Sequence, residues 1–244
     1  MKAFRYGIDA LPVIGNLALA GAFCLLLHAF THGTIRFSTI ELELGATFLF
    51  MGISFATSAV LMLLYGGRGK LAHRDRLLAL VPWRGHEQVL DVGTGRGLLL
   101  VGAAQRAPMG HVTGIDIWNA ADLSGNSIEN AYANAEAEGV RSRTHILNAD
   151  ARAMPFADAS FDVVLSNLCL HNIPDLAGRR RACQEIARVL RPGGTAVLSD
   201  FRTTGECRRT LEELGWPIEQ RGPHLLTTFP PLTTLVLRRP ASGS

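Results

Sequence analysis

The stretch V-L-D-V-G-T-G-R-G, residues 89–97, decides how the rest of the chain is read. An apolar strand pattern runs into Gly93, Gly95 and Gly97, and a helical pattern begins immediately after the last glycine. Glycine adopts backbone dihedrals that other residues avoid and lets the main chain approach a ligand closely. The helix N-terminus behind such a turn favours negative charge. A dinucleotide fingerprint, G-x-G-x-x-G, would need its third glycine at position 98. This chain has Leu98 there, which speaks against an NAD(P) oxidoreductase.

Working outward, strand patterns at 87–92, 111–116, 143–148, 161–166 and 195–200 alternate with helical ones at 98–106, 126–138 and 176–190. A helix at 206–214 and two strands, 218–221 and 232–237, complete the pattern. The alternation predicts an open α/β sheet, Rossmann-like and seven-stranded, with helices on both faces, occupying 87–240. Pro192, Gly193 and Gly194 supply the stop of the helix before the fifth strand. Ahead of the domain, 66–86 reads as a flexible basic hinge, Gly66 to Lys70, and a short amphipathic helix stopped at Pro82.

The pattern G-x-G-x-G preceded by Asp91 resembles the first motif of the class I S-adenosylmethionine-dependent methyltransferases. V-T-G-I-D-I-W (112–118), N-A-D-A-R-A-M-P-F-A-D-A-S-F-D-V-V-L-S-N (148–167) and R-V-L-R-P-G-G-T-A-V-L-S-D-F (188–201) resemble the family's later motifs, in order. The likeness is greatest to the methyltransferase type 11 group, which includes ubiquinone and menaquinone methyltransferases. It implies S-adenosylmethionine as cofactor and a site made of Asp91, Gly93, Thr94, Gly95, Gly97, Asp116, Ile117, Asp150, Ala151 and Asn167. Asp116, about 20 residues after the glycines, would accept both ribose hydroxyls, as an acidic residue does in dinucleotide folds. Asp150 would bond the adenine amino group, and the backbone of its neighbour the ring. Trp118 has two readings, stacking on adenine or packing against the following loop. The long connection 119–131 is either part of a lid or a surface loop.

A sulfonium already activates the methyl group, so such an enzyme mainly aligns a nucleophile and excludes water. A hydroxyl acceptor would also need a base. His171, in S-N-L-C-L-H-N-I-P-D (166–175), follows the fourth strand at the carboxyl edge of the sheet and is the catalytic candidate; pocket lining and packing are its other readings. Asp200 and Arg202 are weaker candidates. DNA amino-methyltransferases resemble one another in an Asn/Asp-Pro-Pro-aromatic run after strand four, used on a flipped base. Here Ser166, Asn167, Leu168 and Cys169 stand in its place. With a net charge of +3 and no long Lys/Arg block, nucleic acid is not an expected partner. Cys24, Cys169, Cys183 and Cys207 form no C-x-x-C pair and have no histidine at zinc-ligand spacing, so neither disulfide nor metal is expected.

Residues 1–65 have a different character. Two apolar runs, 11–30 and 45–65, each have about the 20 residues a helix needs to cross a bilayer. A cleaved signal peptide and buried core helices are the competing readings. Lys2 and Arg5 precede the first run, and Arg68, Lys70, Arg74 and Arg76 follow the second, whereas the loop between carries Glu41 and Glu43 against Arg36. The positive-inside rule then predicts both termini and the catalytic domain in the cytoplasm. Ala18 and Ala22, with Gly52 and Ala56, are candidates for close helix packing. His28 is expected to be interfacial. A membrane hairpin suits a small lipophilic acceptor. The alternatives are a tethered enzyme for a soluble small molecule and a catalytically silent module that binds S-adenosylmethionine.

Overall fold

The computed structural model describes residues 3–31, 34–37, 40–119, 122–225 and 227–241. Lys2, and positions 120–121 of the long connection, lie outside the described residues. The hairpin is formed by α1 (Leu11–Thr31) and α2 (Gly45–Leu64), joined through a small antiparallel pair, β1 (Thr34–Phe37) and β2 (Ile40–Glu43). A buried stripe on α1, Ile14, Gly21 and Cys24, repeats at near-helical period. A Cβ on Gly21 would lie 3.1 Å from Ala56 N, so glycine sets how closely the helices approach. Gly52 and Ala56 take part in this contact as expected, but Ala18 and Ala22 are exposed. The α1 stripe is offset from them because Gly21, seven residues from Ile14, returns to the same face after two turns.

The stretch expected to be a flexible hinge is helical. Tyr65–Gly69 forms one wide turn that carries α2 into α3 (Lys70–Leu78) without a break, burying Tyr65, Gly66 and Gly67. Glycine and basic residues suggest a loop by composition. Here the missing side chains let residue 66 pack against Ile8, and Lys70 is drawn inward by acceptors described below.

Beyond it come β3 (Gln88–Val92), α4 (Leu98–Arg106), β4 (His111–Asp116), α5 (Ile128–Ala137), β5 (Thr144–Asn148) and β6 (Phe161–Asn167). Then follow α6 (Leu176–Val189), β7 (Leu190–Asp200), α7 (Thr204–Glu212), β8 (Ile218–Arg221) and β9 (Thr233–Arg238). The seven strands from β3 onward form one sheet in the order β5-β4-β3-β6-β7-β9-β8, parallel except for β9. Ser127 and Asp175 cap α5 and α6 by accepting the backbone N–H groups of Asn130 and Gly178.

Strand alternation divides the core. Leu90, Val92 and Val164 face α6 and α7, and Val89, Val163 and Val197 face α3, α4 and α5. β4 and β6 flank β3 after the chain reverses its order, so the carboxyl ends of β3, β4 and β6 border the crevice where open α/β sheets bind ligands.

Candidate functional site

A single cleft lies over these strand ends. Asp91, the fourth residue of β3, is buried, and its Oδ2 accepts the Thr94 hydroxyl at 2.8 Å and Leu100 N–H at 2.9 Å. Its carboxylate thus ties the glycine turn to the first turn of α4. Burial pushes its pKa up to about 7, against the two hydrogen bonds that favour the ion. At Gly93, φ is +74° and a Cβ would lie 2.3 Å from Cys169 Sγ, so only glycine fits. Gly97, at φ +82°, caps α4 and does not line the cleft.

Asp116 ends β4 at the next strand. Its Oδ2 accepts Gly95 N–H at 2.8 Å, and its Oδ1 accepts Trp118 N–H at 2.8 Å and the Asn126 amide at 3.3 Å. A carboxylate offers about four acceptor sites, so three donors leave it unsaturated. Ile117 beside it is exposed at the cleft. Trp118 packs, as does Tyr132, against the buried core cluster that includes Leu99, and it is not among the residues that line the cleft. At the end of β5, Asp150 and Ala151 line the cleft. Arg152 grips the Asp150 carboxylate in a fork, with Nη2 at 2.6 Å and Nε at 3.0 Å, which holds that carboxyl below its usual range. Asn167, ending β6, lines the cleft, and its amide meets the His73 ring of α3. Nine of the expected residues therefore meet in one cleft.

The sequence reading missed a wall. Tyr6, Asp9, Tyr65 and Lys70 also line this cleft, brought there by the segment ahead of α1 and the turn after α2. The Lys70 ammonium is buried, donating to Gly7 O at 2.7 Å and Tyr6 O at 3.4 Å and pairing with Asp9 at 3.1 Å. Residues 5–9 form a strap across the domain. Ile8 N–H donates to Ser124 Oγ at 2.9 Å, Asp9 bridges Leu123, and Arg5 pairs with Glu138. Part of the long 119–131 connection is thus docked under the strap, and both ends of the hairpin sit against the α/β domain. No local periodicity marks residues 5–9, and their partners lie more than 60 positions away.

His171 stands beside the cleft, next to the lining residues Cys169 and Asn172. It is close enough for its charge to act on Asp122, but its own side chain is not part of the lining. Its Nδ1 lies 3.1 Å from Asp200 Oδ2, and its ring meets Phe201 edge-on at 4.7 Å. Arg202 contributes a backbone N–H to Asp200. The four cysteines are free. Burial, and then the carboxylates of Asp116, Asp200 and Asp91, push the Cys169 thiol well above its usual range, so it stays protonated beside the turn.

Residues 90–198 match the family described as Methyltransferase domain. The chain is similar to the 27-O-demethylrifamycin SV methyltransferase of Amycolatopsis mediterranei, with 39% identity over 127 residues, 52% of this chain and 43% of the relative. It is also similar to the demethylmenaquinone methyltransferase of Thermus thermophilus, with 35% identity over 131 residues, 54% of each. The chain thus spans about half the length of these relatives. The crystal structure of the 4+2 cyclase SpnF superimposes with a TM-score of 0.59 at 19% identity, over 70% of this chain and 81% of that one, a likeness of fold.

Proposed function

We propose that this chain transfers a methyl group from S-adenosylmethionine to a small lipophilic acceptor, with α1 and α2 in a membrane and the domain on its cytoplasmic face. One observation carries the cofactor reading: the glycine turn, Asp116, Asp150 and Asn167 converge on one cleft within the stretch that matches a methyltransferase domain. The residues fit that cofactor. Asp116 keeps acceptor capacity for ribose hydroxyls beside the glycine turn, at the edge of the cleft that Asn167 also lines. Asp150 meets the adenine amino group in this reading only in competition with Arg152. The cofactor supplies a methyl group already activated by its sulfonium. The chain's own residues bind, orient and shield: Asp91 fixes the turn, Asp116 orders the loop beyond β4, and the strap covers one side.

The membrane part rests on apolar surface. Leu19, Phe23, Phe30 and Phe50 face outward, and both helices are long and apolar enough to cross a bilayer. The strap and α3 keep both hairpin ends beside the domain, in line with the basic flanks. A cleft walled by hairpin-linked residues favours an acceptor that arrives from the bilayer.

The test uses the full chain in nanodiscs. Calorimetry should show micromolar binding of S-adenosylhomocysteine and none of NADH. Radiolabel from S-adenosylmethionine should then enter a lipid extract of membranes. Absence of S-adenosylhomocysteine binding would overturn the cofactor reading. Label found only in water-soluble material would overturn the lipophilic acceptor.

A further inference from the structure

The strap lies directly on the glycine turn. A Cβ on Gly7 would lie 3.0 Å from Leu123 Cδ1 and from Arg96 Cδ, and one on Gly95 would lie 2.9 Å from Leu123 Cδ2. Leu123 is thus held between strap and turn, and Asp9 bridges it through the backbone. The Lys70 ammonium commits its three N–H donors to Gly7 O, Tyr6 O and the Asp9 carboxylate. Asp9 is therefore fixed at the cleft wall. Lys70 is the partner of its carboxylate among the described residues, and a carboxylate offers about four acceptor sites, so Asp9 keeps capacity toward the cleft.

Tyr65 lines the same cleft with the opposite chemistry. It is only 7% exposed, and its hydroxyl has no hydrogen-bond partner. A hydroxyl withdrawn from water without a partner destabilises the fold, and a ligand atom that accepts from it relieves that cost. Asp9 stands close enough for its charge to act on this hydroxyl. The Tyr6 hydroxyl is also unpaired, but it lies among the charges of Glu138, Arg74 and Arg5, and what Tyr6 gives the strap is the carbonyl that Lys70 holds. A fixed carboxylate with open acceptor sites beside a buried hydroxyl donor is complementary to an ammonium and a carboxylate carried on one small head group.

We propose that this wall is the subsite for the amino-acid end of the cofactor, with Asp9 accepting from its ammonium and Tyr65 donating to its carboxylate. The identity of the ligand rests on the methyltransferase reading. Strand order sets the direction in which it lies. In that reading Asp150, after β5, takes adenine and Asp116, at the end of β4, takes ribose, and β3 with its glycine turn is next in the sheet. Neighbouring strands lie about 4.8 Å apart, so a ligand that runs from β5 across β4 brings its remaining arm to the glycine turn, beneath the strap. The hairpin then does more than attach the domain: the residues before α1 and after α2 complete the cofactor site.

The test compares, by calorimetry on the full chain in nanodiscs, ligands that share the adenosine and differ in the head. These are S-adenosylhomocysteine, its deamino analogue built on 4-thiobutyrate, and 5′-methylthioadenosine, which has no amino-acid head. Asp9→Asn should weaken S-adenosylhomocysteine about tenfold, the loss of one hydrogen bond to a charged group. The same variant should leave the deamino analogue and 5′-methylthioadenosine within about twofold. Tyr65→Phe should weaken S-adenosylhomocysteine and the deamino analogue about tenfold and spare 5′-methylthioadenosine. An equal loss for every ligand would make these residues supports of the strap and overturn the subsite. Unchanged affinity for S-adenosylhomocysteine in both variants would overturn it too, as would an Asp9→Asn variant that loses the deamino analogue as much as S-adenosylhomocysteine. The two readings fail distinguishably: S-adenosylhomocysteine bound alike by wild type and variants keeps the cofactor site and removes the subsite, whereas a wild type that binds none of these ligands removes the cofactor reading as well.

Discussion

Lys70→Met removes the ammonium that clamps the strap while keeping a stem of similar length. In the wild type this group makes three contacts, to Gly7 O, Tyr6 O and Asp9. Hydrogen bonds to a charged group contribute about 1.5–3 kcal/mol each. Withdrawing the ammonium from water costs several kcal/mol, which offsets much of that sum. Asp9 stays 36% exposed, so its carboxylate is rehydrated once the partner is gone. The net favours the docked strap by about 2 kcal/mol, a factor of about 30 in the opening equilibrium. Hydrogen exchange reads this directly. Ile8 N–H is held by Ser124 Oγ at 2.9 Å and exchanges when the strap lifts. In Lys70→Met it should exchange about 30-fold faster, while the amides of β3 and β6 are unchanged. A change below about threefold, with α3 intact by the same measurement, would mean that Lys70 does not hold the strap.

Asp116→Ala removes the acceptor of Gly95 N–H and one candidate ribose contact, so affinity for S-adenosylhomocysteine should fall by about 1.5–3 kcal/mol in calorimetry; unchanged affinity would relocate the ribose site. Asp91 has a folded-state pKa raised to about 7, so the stability it contributes is full below its unfolded value near 3.8 and is lost as pH rises through 7. Thermal melting of Asp91→Asn should therefore decline less than wild type between pH 4 and 8, and parallel curves would refute the assignment. Gly93→Ala meets Cys169 at 2.3 Å and keeps a left-handed φ, so it should lose about 2–4 kcal/mol by denaturant melting, the steric part returning in Gly93→Ala/Cys169→Gly. No recovery in the double variant would remove the steric explanation. His171→Ala should leave S-adenosylhomocysteine affinity within about twofold, because its ring is held by Asp200 and does not line the cleft; a tenfold loss would make it a cofactor contact.

The sheet was legible because its signals are local. Apolar runs bounded by Gly, Pro and Asn placed every strand from β3 to β9 to within a few residues, except that β7 begins at Leu190, where the chain was read as a turn. Gly93, Asp116 and Asp150 were legible because each ends a strand on the same edge. The strap was not, because its partners are Lys70, Ser124 and Glu138, and no repeat links such distant positions. The turn after α2 misled by composition, since two glycines beside Arg68 and Lys70 look alike in a loop and in a packed helix. His73 could not be told from any other histidine until the register set Ser199 and Thr234 beneath it, whereas His171 drew notice by its place after a strand.

The uninterrupted helix from Gly45 to Leu78, 34 residues, acts as a gauge. At 1.5 Å per residue, about 30 Å of it would cross a bilayer core in the proposed membrane setting, and the last turns are packed into the domain. In that setting a domain continuous with a rigid helix would keep a set height and heading over the lipid, where one on a slack cord would wander. Each residue inserted after Leu64 would lift the domain by about 1.5 Å and swing it by about 100°, turning the cleft's mouth away from its supply. A seven-residue insertion, close to two full turns, should be tolerated far better than a two-residue one.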